Sequence, residues 1–406
     1  SYVQTGIVLQ VNANPTLNIT LQVGELAETI TVEGTAPLVE TRNPGIGQVV
    51  TNEQVVELPL NGRQLTQLIL TAGMASPSAG LGATALSTPR NYPSALISVA
   101  GGLANGLNYI VDGANHNDPY GSVNLPLPFP DAMQEFKVET NALPAQYGFH
   151  SAAAVNAVTK SGTNSLHGDL FEFSRNHRFN ATSPFAAINP ATGKRRDDGL
   201  NRNQFGGTLG GPIVKDKMFF FGAYQGTRTA EAPADLISFI PTAAMLAGDF
   251  TQVASAACNT RGAITLGGGF VNNQINPSLL SPAAVAIAKK LPTTTDPCGR
   301  ITYSRTRNID EKQAIAKVDY QFTQNHSIFG RYMATTFFYE PPLSETPDNI
   351  LVTTVGGRDN LAQSLAFGDT QVLSNATVNA IRFAYNRTGI HRTHTDFFSF
   401  PDVGVN

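Results

Sequence analysis

The second half of the sequence contains about seven candidate strands of roughly ten residues each, the length that a strand tilted across a membrane requires. They lie at 166–175, 203–214, 218–228, 313–322, 327–337, 362–373 and 377–387. The connections between them alternate between long ones, at 176–202, 229–312 and 338–361, and short ones, at 215–217, 323–326 and 374–376. Because transmembrane barrels combine tight turns at one end with extended loops at the other, this pattern predicts the first strands of an antiparallel transmembrane β-barrel.

Side chains alternate along these segments. In 313–322 the apolar face carries Ala314, Ala316, Val318, Tyr320 and Phe322, and the polar face carries Lys317, Asp319 and Gln321. Segments 203–214 and 377–387 alternate in the same way, so one face suits lipid and the other suits a watery lumen. A soluble β-sandwich also alternates, so periodicity alone leaves that alternative open, and the length of the strands and the asymmetry of the loops favour the barrel.

Composition excludes several classes of protein. The net charge of −3 provides no field that would gather nucleic acid, so no nucleic-acid partner is expected. No run of about 18 apolar residues is present, which argues against a helical membrane span. The chain starts at Ser1 without a signal peptide, and we interpret this start as a cut rather than a natural terminus.

The first 160 residues divide into two patterns. Residues 1–33 alternate between apolar and polar side chains and predict the last two strands of an incomplete all-β sandwich. From about residue 34 the elements are short and mixed, with a helix-like stretch from Asn52 to Leu70 and strands near Asn108–Asp112 and Glu135–Thr140. This second pattern predicts a compact α+β domain.

Several motifs between about residues 26 and 225 carry a family resemblance. They are Leu58-Pro-Leu-Asn-Gly-Arg63, Asn108-Tyr-Ile-Val-Asp-Gly113, Gln134-Glu-Phe-Lys-Val138, Asn141-Ala-Leu-Pro-Ala-Gln-Tyr-Gly148, Ala154-Val-Asn-Ala-Val-Thr-Lys-Ser-Gly-Thr-Asn164, His167-Gly168 and Gly206-Gly-Thr-Leu-Gly-Gly-Pro-Ile-Val214 with Phe219-Phe-Phe221. Together they resemble TonB-dependent outer-membrane receptors of the Oar-like type. The resemblance implies the tail of a carboxypeptidase regulatory-like sandwich at 1–33, an α+β plug at 34–164 and a partial barrel at 165–406.

The resemblance also marks candidate site residues. The plug motifs supply Asn61, Gly62, Arg63, Asp112, Gly113, Glu135, Tyr147 and Gly148, and the junction of plug and barrel supplies Lys160, Ser161, Gly162, Thr163 and Asn164. Asp112-Gly113 after an apolar strand predicts a tight hairpin, and Gly162 is expected to take the positive φ of a chain reversal. Glu135 and Lys137 share the polar face of their strand, where contact with solvent is the simpler expectation than contact with lumen charges.

Residues Glu28, Thr29, Ile30, Thr31 and Val32 are similar to the TonB box, the extended segment through which an inner-membrane partner pulls on the plug. Pairing with an edge strand of that partner requires such a β-rich sequence. The same residues could instead be the final strand of the preceding sandwich.

No catalytic constellation, cofactor motif or metal site is predicted. Cys258 and Cys298 lie in the long loop 229–312, where a disulfide and two free thiols are both open. His391 and His394 are expected in a loop, and neither has an acidic or cysteine ligand at metal spacing. The chain is therefore not expected to be an enzyme.

The resemblance implies gated passage of an unknown extracellular ligand through a plugged barrel in bacterial outer-membrane lipid, driven by a TonB-type energy-transducing protein of the inner membrane. Seven strands cannot close around a plug, so we expect the gene to continue beyond residue 406 and this chain alone not to form a stable pore. The alternative from another class is a non-transporting cell-surface protein that binds or adheres through β-sandwiches.

Overall fold

The computed structural model describes residues 2–5, 30–33, 46–78, 92, 94, 96–119, 121–141, 143, 147, 150–184, 186, 188, 193–195, 197, 199–231, 236–305, 307–353 and 356–405. At the N-terminus, β1 (Tyr2–Thr5) and β2 (Ile30–Glu33) pair in parallel. The alternating residues between them, on which the sandwich prediction depends, lie outside the described residues.

An α+β domain follows, which we call the inner domain (46–159). Its elements are β3 (Ile46–Thr51), α1 (Asn52–Glu57), β4 (Ala75–Pro77), β5 (Ile97–Val99), β6 (Leu107–Val111), β7 (Ala114–Asn115), β8 (Met133–Asn141) and β9 (Ala153–Thr159), with 3-10 turns at Asn61–Arg63, Leu65–Thr71, Ala104–Gly106 and Pro130–Ala132. Strands β3, β8, β9, β6 and β7 form a sheet in that order, and β6 and β9 pair in parallel within it. The sequence therefore predicted the α+β class correctly.

The helix-like stretch from Asn52 to Leu70 is broken in the structure. Helix α1 begins with a capping box, in which Thr51 accepts a hydrogen bond from the Gln54 backbone and the Gln54 side chain reaches back to the Thr51 amide. It ends at Glu57, before Pro59, and the chain continues as 3-10 turns in which Gly62 has a φ of 72°. A proline cannot donate an amide hydrogen bond and a left-handed glycine leaves helical geometry, so one continuous helix does not form.

The inner domain has an apolar core, as a water-soluble domain does. Its fully buried side chains include Val55 of α1, Leu68 and Ile69 of the second 3-10 turn, and Tyr109 and Phe136 of the sheet. Burial of such side chains stabilises a fold by roughly 1.5–3 kcal/mol each.

The second large unit is a seven-stranded antiparallel sheet, which we call the wall. Its strands are β10 (His167–Asn176), β11 (Asn201–Val214), β12 (Met218–Glu231), β15 (Arg307–Thr323), β16 (His326–Tyr339), β17 (Gly357–Ser374) and β18 (Thr377–Thr393), paired in chain order. Each predicted segment overlaps one of these strands, and the bounds differ only at the ends. The sheet is open in the described part of the chain, with β10 and β18 at its two edges.

Long and short connections alternate along the wall as expected. The turns after β11, β15 and β17 are tight and lie at one end of the wall, which we call the short-turn end. The long connections lie at the opposite end, which we call the long-loop end. The longest loop contains its own hairpin of β13 (Leu236–Phe239) and β14 (Arg300–Tyr303), the helices α2 (Ala243–Leu246) and α3 (Pro282–Ala288), and a disulfide between Cys258 and Cys298. A further short helix, α4 (Pro342–Glu345), follows β16.

The two faces of the wall meet different surroundings. On β15, Gln313, Ile315 and Lys317 point inward and are buried, whereas Ala314 and Val318 point outward and are exposed. The inward face as a whole is mixed, and it buries Gln204, Thr208, Gln225, Thr227, Gln313, Lys317, Arg331, Thr335, Asn360 and Ser364 beside apolar residues. The outward face of the wall is therefore apolar, whereas a soluble β-sandwich, the alternative that the sequence left open, would expose its polar face.

Across the described ranges, every helix is too short or too polar to cross a membrane.

Candidate functional site between the inner domain and the wall

The inner domain lies against the inward face of the wall and reaches it with the hairpin of β6 and β7. The two strands pair antiparallel through a turn at Asp112 and Gly113, whose φ angles are 53° and 76°. Glycine takes such angles without strain and aspartate tolerates them, so the dipeptide forms the tight turn that the sequence predicted. The turn directs the Asp112 carboxylate toward β15 and β16 of the wall.

The Asp112 carboxylate is the centre of a buried network. Within the inner domain it accepts hydrogen bonds from the Thr159 amide (2.9 Å) and from the Thr159 hydroxyl (3.0 Å). Across the interface, Arg331 Nε lies 2.9 Å from Asp112 Oδ2 and Lys317 Nζ lies 3.6 Å from Asp112 Oδ1. All three charged side chains are at most 6% exposed, so water does not screen these pairs as it would at a surface. The sequence motif indicated the turn but not its ionic partners.

His116, four residues beyond the Asp112 turn, continues the network. Arg331 Nη2 donates to the Ser364 hydroxyl at 3.3 Å, and that hydroxyl lies 3.3 Å from His116 Nδ1. His116 Nε2 lies 2.9 Å from the Pro126 carbonyl, so Nε2 carries the proton and Nδ1 is the acceptor. Burial, reinforced by the positive charge of Arg331, lowers the pKa of His116 to about 3 and keeps the imidazole neutral at physiological pH.

A second set of contacts holds the middle of the inner domain to β15. The Gln313 side chain accepts from the Phe129 amide at 2.9 Å and donates to the Leu127 carbonyl at 3.0 Å. One wall side chain thus satisfies two backbone groups of the segment that precedes β8. Buried polar groups without such partners would destabilise the interface, so this pairing fixes the register of the segment on the wall.

The Asn61-Gly62-Arg63 motif contacts the long-loop end of the wall. Asn61 Oδ1 accepts from Arg175 at 2.9 Å and from Arg202 at 3.1 Å. Gly62 has a φ of 72°, which favours glycine, and an added Cβ would lie 3.0 Å from the guanidinium of Arg202, which would have to shift. The motif thus joins the inner domain to β10 and β11.

Arg63 itself turns inward. Its guanidinium pairs with Asp131 of the inner domain and lies over the rings of Phe171 and Phe173 of β10, at 4.9 and 4.1 Å from their centroids. A guanidinium at this distance from an aromatic face is attracted by the ring quadrupole. The cation therefore joins the last turn before β8 to the first wall strand.

The junction 160–166 leads from β9 into β10 through contacts with the wall. The Lys160 amide donates to the Ala132 carbonyl at 2.9 Å, and the Lys160 ammonium lies 3.7 Å from Asp169. Asn164 binds the tight turn after β11, because its side chain accepts from the Asp216 amide at 2.8 Å. Ser161 hydrogen-bonds Asp319 on β15, and the Thr163 hydroxyl donates to the Ser165 carbonyl at 3.0 Å.

The expectation of a positive φ at Gly162 is wrong, since its φ lies outside the left-handed region. The structure gives a different reason for glycine. A Cβ at this position would lie 2.3 Å from the Phe220 carbonyl and 2.6 Å from the Gly211 carbonyl. Glycine is needed because the junction passes directly against the backbone of two wall strands.

Two other expectations need correction. Lys137 does not lie on a solvated face: its side chain is buried and its ammonium is 3.2 Å from Glu139. Glu135 is half-buried on the same strand, β8. His391 lies in the wall strand β18 instead of a loop, while His394 follows it and faces Asp396 in an exposed segment.

The remaining candidate residues have structural positions. Tyr147 is buried, and its hydroxyl accepts from Asn156 at 3.3 Å. Gly148, Glu28 and Thr29 lie outside the described residues, and Ile30–Val32 belong to β2. Among the described residues, no group of three histidine, cysteine, aspartate or glutamate side chains could hold a metal ion.

An open antiparallel wall that is apolar outside and packs its inward face against an α+β domain is the architecture of part of an outer-membrane barrel with an inner domain. A family model described as "Outer membrane beta barrel domain" matches residues 158–405, more than half of the chain, and the chain belongs to this family. The protein is therefore located in the bacterial outer membrane. The barrel is incomplete over these residues.

The chain is similar to the TonB-dependent transporter Oar of Myxococcus xanthus, with 27% identity over 242 residues. The match covers 57% of this chain and 22% of that relative, so the chain spans about a fifth of the relative's length. The resemblance to Oar-like TonB-dependent receptors is thereby confirmed, whereas the carboxypeptidase regulatory-like part stays a prediction.

A solved receptor structure shows the same fold. A mutant of the ferric enterobactin receptor PfeA from Pseudomonas aeruginosa, in complex with enterobactin, matches with a TM-score of 0.50 and 12% identity, covering 84% of this chain and 41% of the receptor. The outer-membrane transporter YddB from Escherichia coli matches with a TM-score of 0.49 and 11% identity, covering 84% and 38%. The relatives named here are transporters and receptors rather than enzymes.

Proposed function

We propose that this chain is the plug and part of the barrel wall of a TonB-dependent transporter that admits an extracellular ligand across the outer membrane. The observation that carries the proposal is the buried polar interface centred on Asp112, Lys317 and Arg331, which joins the inner domain to the wall. The inner domain, within the proposed plug 34–164, occupies the lumen, and the wall belongs to the partial barrel 165–406. Movement of the inner domain would open a path for the ligand.

The interface combines a small apolar cluster with these polar contacts, and the polar contacts suit a domain that has to move. An apolar interface exposed to water on opening would be penalised over its whole area. The Asp112 carboxylate and the Gln313 side chain can instead exchange their partners for water as the lumen hydrates, which recovers much of each hydrogen bond. The closed state is then held firmly but can be released by a modest external force.

The force is proposed to come from a TonB-type protein of the inner membrane acting on residues 28–32. The extended conformation of Ile30–Glu33 supports this assignment, because strand addition requires an extended donor. The parallel pairing of β2 with β1 supports the other assignment, to the end of a sandwich at 1–33. An unknown extracellular ligand is the second partner, and it would bind at the long-loop end.

A reversible tether between the inner domain and the wall tests the proposal. Asn386 of β18 donates a hydrogen bond to the Asn115 backbone carbonyl at 2.8 Å, so the two positions are adjacent across the interface and cysteines there can be joined by a short reducible cross-linker. A deletion strain is first grown on panels of iron and carbon sources to find the condition that requires the gene. The Asn115→Cys/Asn386→Cys protein, expressed from the natural gene, should then support growth when reduced and fail when cross-linked.

The matched control links two wall strands only. Leu365 and Tyr385 are outward cross-strand partners on β17 and β18, and a cross-link between cysteines there should leave growth unchanged. Wild-type protein under the same reductant controls for opening of the Cys258–Cys298 disulfide. Growth of the tethered variant at the wild-type rate, or growth independent of the TonB-type partner, would instead favour a surface binding protein without transport.

A further inference from the structure

One row of side chains on the inward face of the wall is rich in arginine. It lies near the long-loop end, where directly paired residues follow one another from strand to strand between β10 and β18. Its members are Arg175, Arg202, Thr229, Ile309, Tyr339, Arg358 and Arg392. Each member is an even number of residues away from an inward side chain of its own strand, so the whole row faces the lumen. The row thus places two cross-strand pairs of arginines on the lumen side of the wall.

The pair of Arg175 and Arg202 is held against the inner domain by a single atom. The two residues lie directly opposite each other on β10 and β11, and both guanidinium groups donate to Asn61 Oδ1, at 2.9 and 3.1 Å. Arg175 Nε also donates to Asn180 Oδ1 at 3.3 Å, which is another neutral acceptor. Like charges directly opposite on neighbouring strands are destabilising, and a shared amide oxygen does not cancel them. An anion in the place of Asn61 Oδ1 would accept from both guanidinium groups and neutralise them.

The inward carboxylates of the neighbouring rows do not balance the arginines. On the described wall strands, the rows directly beside this one contain two carboxylates, Glu231 and Glu311, and one more arginine, Arg307. Glu231 pairs with Arg307 at 2.5 Å, and Glu311, one row toward the short-turn end, offsets part of the charge of Arg202. Across these three rows of the described strands, five arginines therefore face two carboxylates. The lumen side of the wall is positive at this height.

The connection between β10 and β11 has the same sign of charge. It leads directly from Arg175 to Arg202, and its sequence contains four basic residues and two aspartates, which are Arg178, Lys194, Arg195, Arg196, Asp197 and Asp198. A cleft lined by one sign of charge raises the local concentration of ions of the opposite sign. The long-loop end next to the arginine pair therefore attracts anions.

We propose that Arg175 and Arg202 bind an anionic group of the transported ligand, a carboxylate or a phosphate, in the place of Asn61 Oδ1. The inference rests on the proposed transport function and deepens it by naming the charge class of the ligand. Because the anion takes both donors of Asn61, its binding removes a contact that holds the inner domain to β10 and β11. A neutral ligand would only exchange one neutral acceptor for another, and the repulsion between the two arginines would remain.

Calorimetric titrations of the purified protein test this site. The protein is expressed from its natural gene, extracted in detergent and titrated at low ionic strength. Citrate and pyrophosphate are the probes for a carboxylate and a phosphate, and triethyl citrate is the neutral probe of similar shape. We expect both anions to bind, the tighter one to identify the anionic group, and triethyl citrate not to bind. Arg175→Gln/Arg202→Gln should weaken anion binding about a hundredfold, or about tenfold for each charge-assisted hydrogen bond lost.

Arg387→Gln is the matched control, since Arg387 is an exposed arginine on the outward face of β18 that donates to Gln363 of β17. It should bind both anions as the wild type does. Asn61→Ala removes the acceptor with which the anion competes and should tighten binding severalfold, so it decides the question even if the double variant does not fold.

Four outcomes would overturn the proposal: no binding of either anion, equal binding of triethyl citrate, equal weakening by Arg387→Gln, or binding by Asn61→Ala that is no tighter than that of the wild type. The growth test with the tethered inner domain does not depend on the charge of the ligand. A protein that passes that test and binds no anion would therefore contradict this inference and leave the proposed transport function in place.

Discussion

The inner domain and the wall use the same kinds of side chain in opposite ways. In the inner domain Phe136 and Tyr109 are buried in an apolar core, whereas in the wall Phe383 of β18 is 56% exposed on the outward face and Arg331 is 1% exposed on the inward face. Burial alone therefore does not identify a core. Each face has to be judged against the medium it meets, which is hydrocarbon outside the wall and a polar lumen inside it.

The interface between the inner domain and the wall is neither wholly apolar nor wholly polar. It contains an apolar cluster of Phe129 and Ala132 from the inner domain with Phe221, Ala223, Ile315 and Met333 from the wall. It also contains the ionic network around Asp112. The apolar cluster supplies packing, and the ions fix one position of the inner domain on the wall.

The largest effect is expected from breaking this network. Asp112→Ala leaves Lys317 and Arg331 buried without their carboxylate, and loss of one partner of a buried pair typically costs about 3–5 kcal/mol. The measurement is the free energy of unfolding from urea titrations of the reconstituted protein. Asp348→Ala, at an exposed loop position, is the control and should change that free energy by less than about 0.5 kcal/mol.

A triple variant separates the cost of unpaired charges from the loss of the ionic contacts themselves. When Asp112 is replaced by asparagine, which tolerates the positive φ of the turn, and Lys317 and Arg331 are replaced by leucine, none of the three charges remains, and stability should return to within about 1–2 kcal/mol of the wild type. An Asp112→Ala protein as stable as the wild type would show that the network contributes nothing to the seating of the inner domain.

A smaller effect is expected from a charge on the outward face. Val318 of the wall and Leu103 of the inner domain are both exposed apolar residues. Val318→Arg places a charge in the apolar band and should destabilise the protein in a bilayer by about 2–4 kcal/mol, whereas Leu103→Arg should change stability by less than about 0.5 kcal/mol. Unfolding titrations in lipid vesicles measure both, and equal costs would mean that Val318 does not face hydrocarbon.

The wall could be predicted from the sequence because its signal is local. Alternation over ten residues and turns such as Ser374–Thr377 depend on the strand itself, and the predicted segment 313–322 lies within the observed Arg307–Thr323. The hairpin of β13 and β14 was missed because its two strands have four residues each and are separated by about sixty residues of loop.

The candidate site could be predicted only in part. The position of Arg331 on the inward face follows from the alternation with Met333 and Thr335, but its pairing with Asp112 joins residues more than two hundred positions apart. Lys137 was expected in solvent because its strand alternates, and its burial depends on how the inner domain packs. Tertiary pairing of charges carries no periodic signal that a single sequence shows.

The smallest effect concerns protonation at the interface. Because the pKa of His116 is about 3 in the folded protein and about 6.5 when unfolded, only the unfolded state takes up a proton between these values. The contribution of His116 to stability is complete above pH 6.5 and is lost as the pH falls toward 3.

Between pH 7 and pH 5 the free energy of unfolding should therefore decrease by about 1–2 kcal/mol. Urea titrations at several pH values measure this slope, and His116→Asn should reduce it. A slope unchanged by that substitution would assign the pH dependence to titratable groups other than His116.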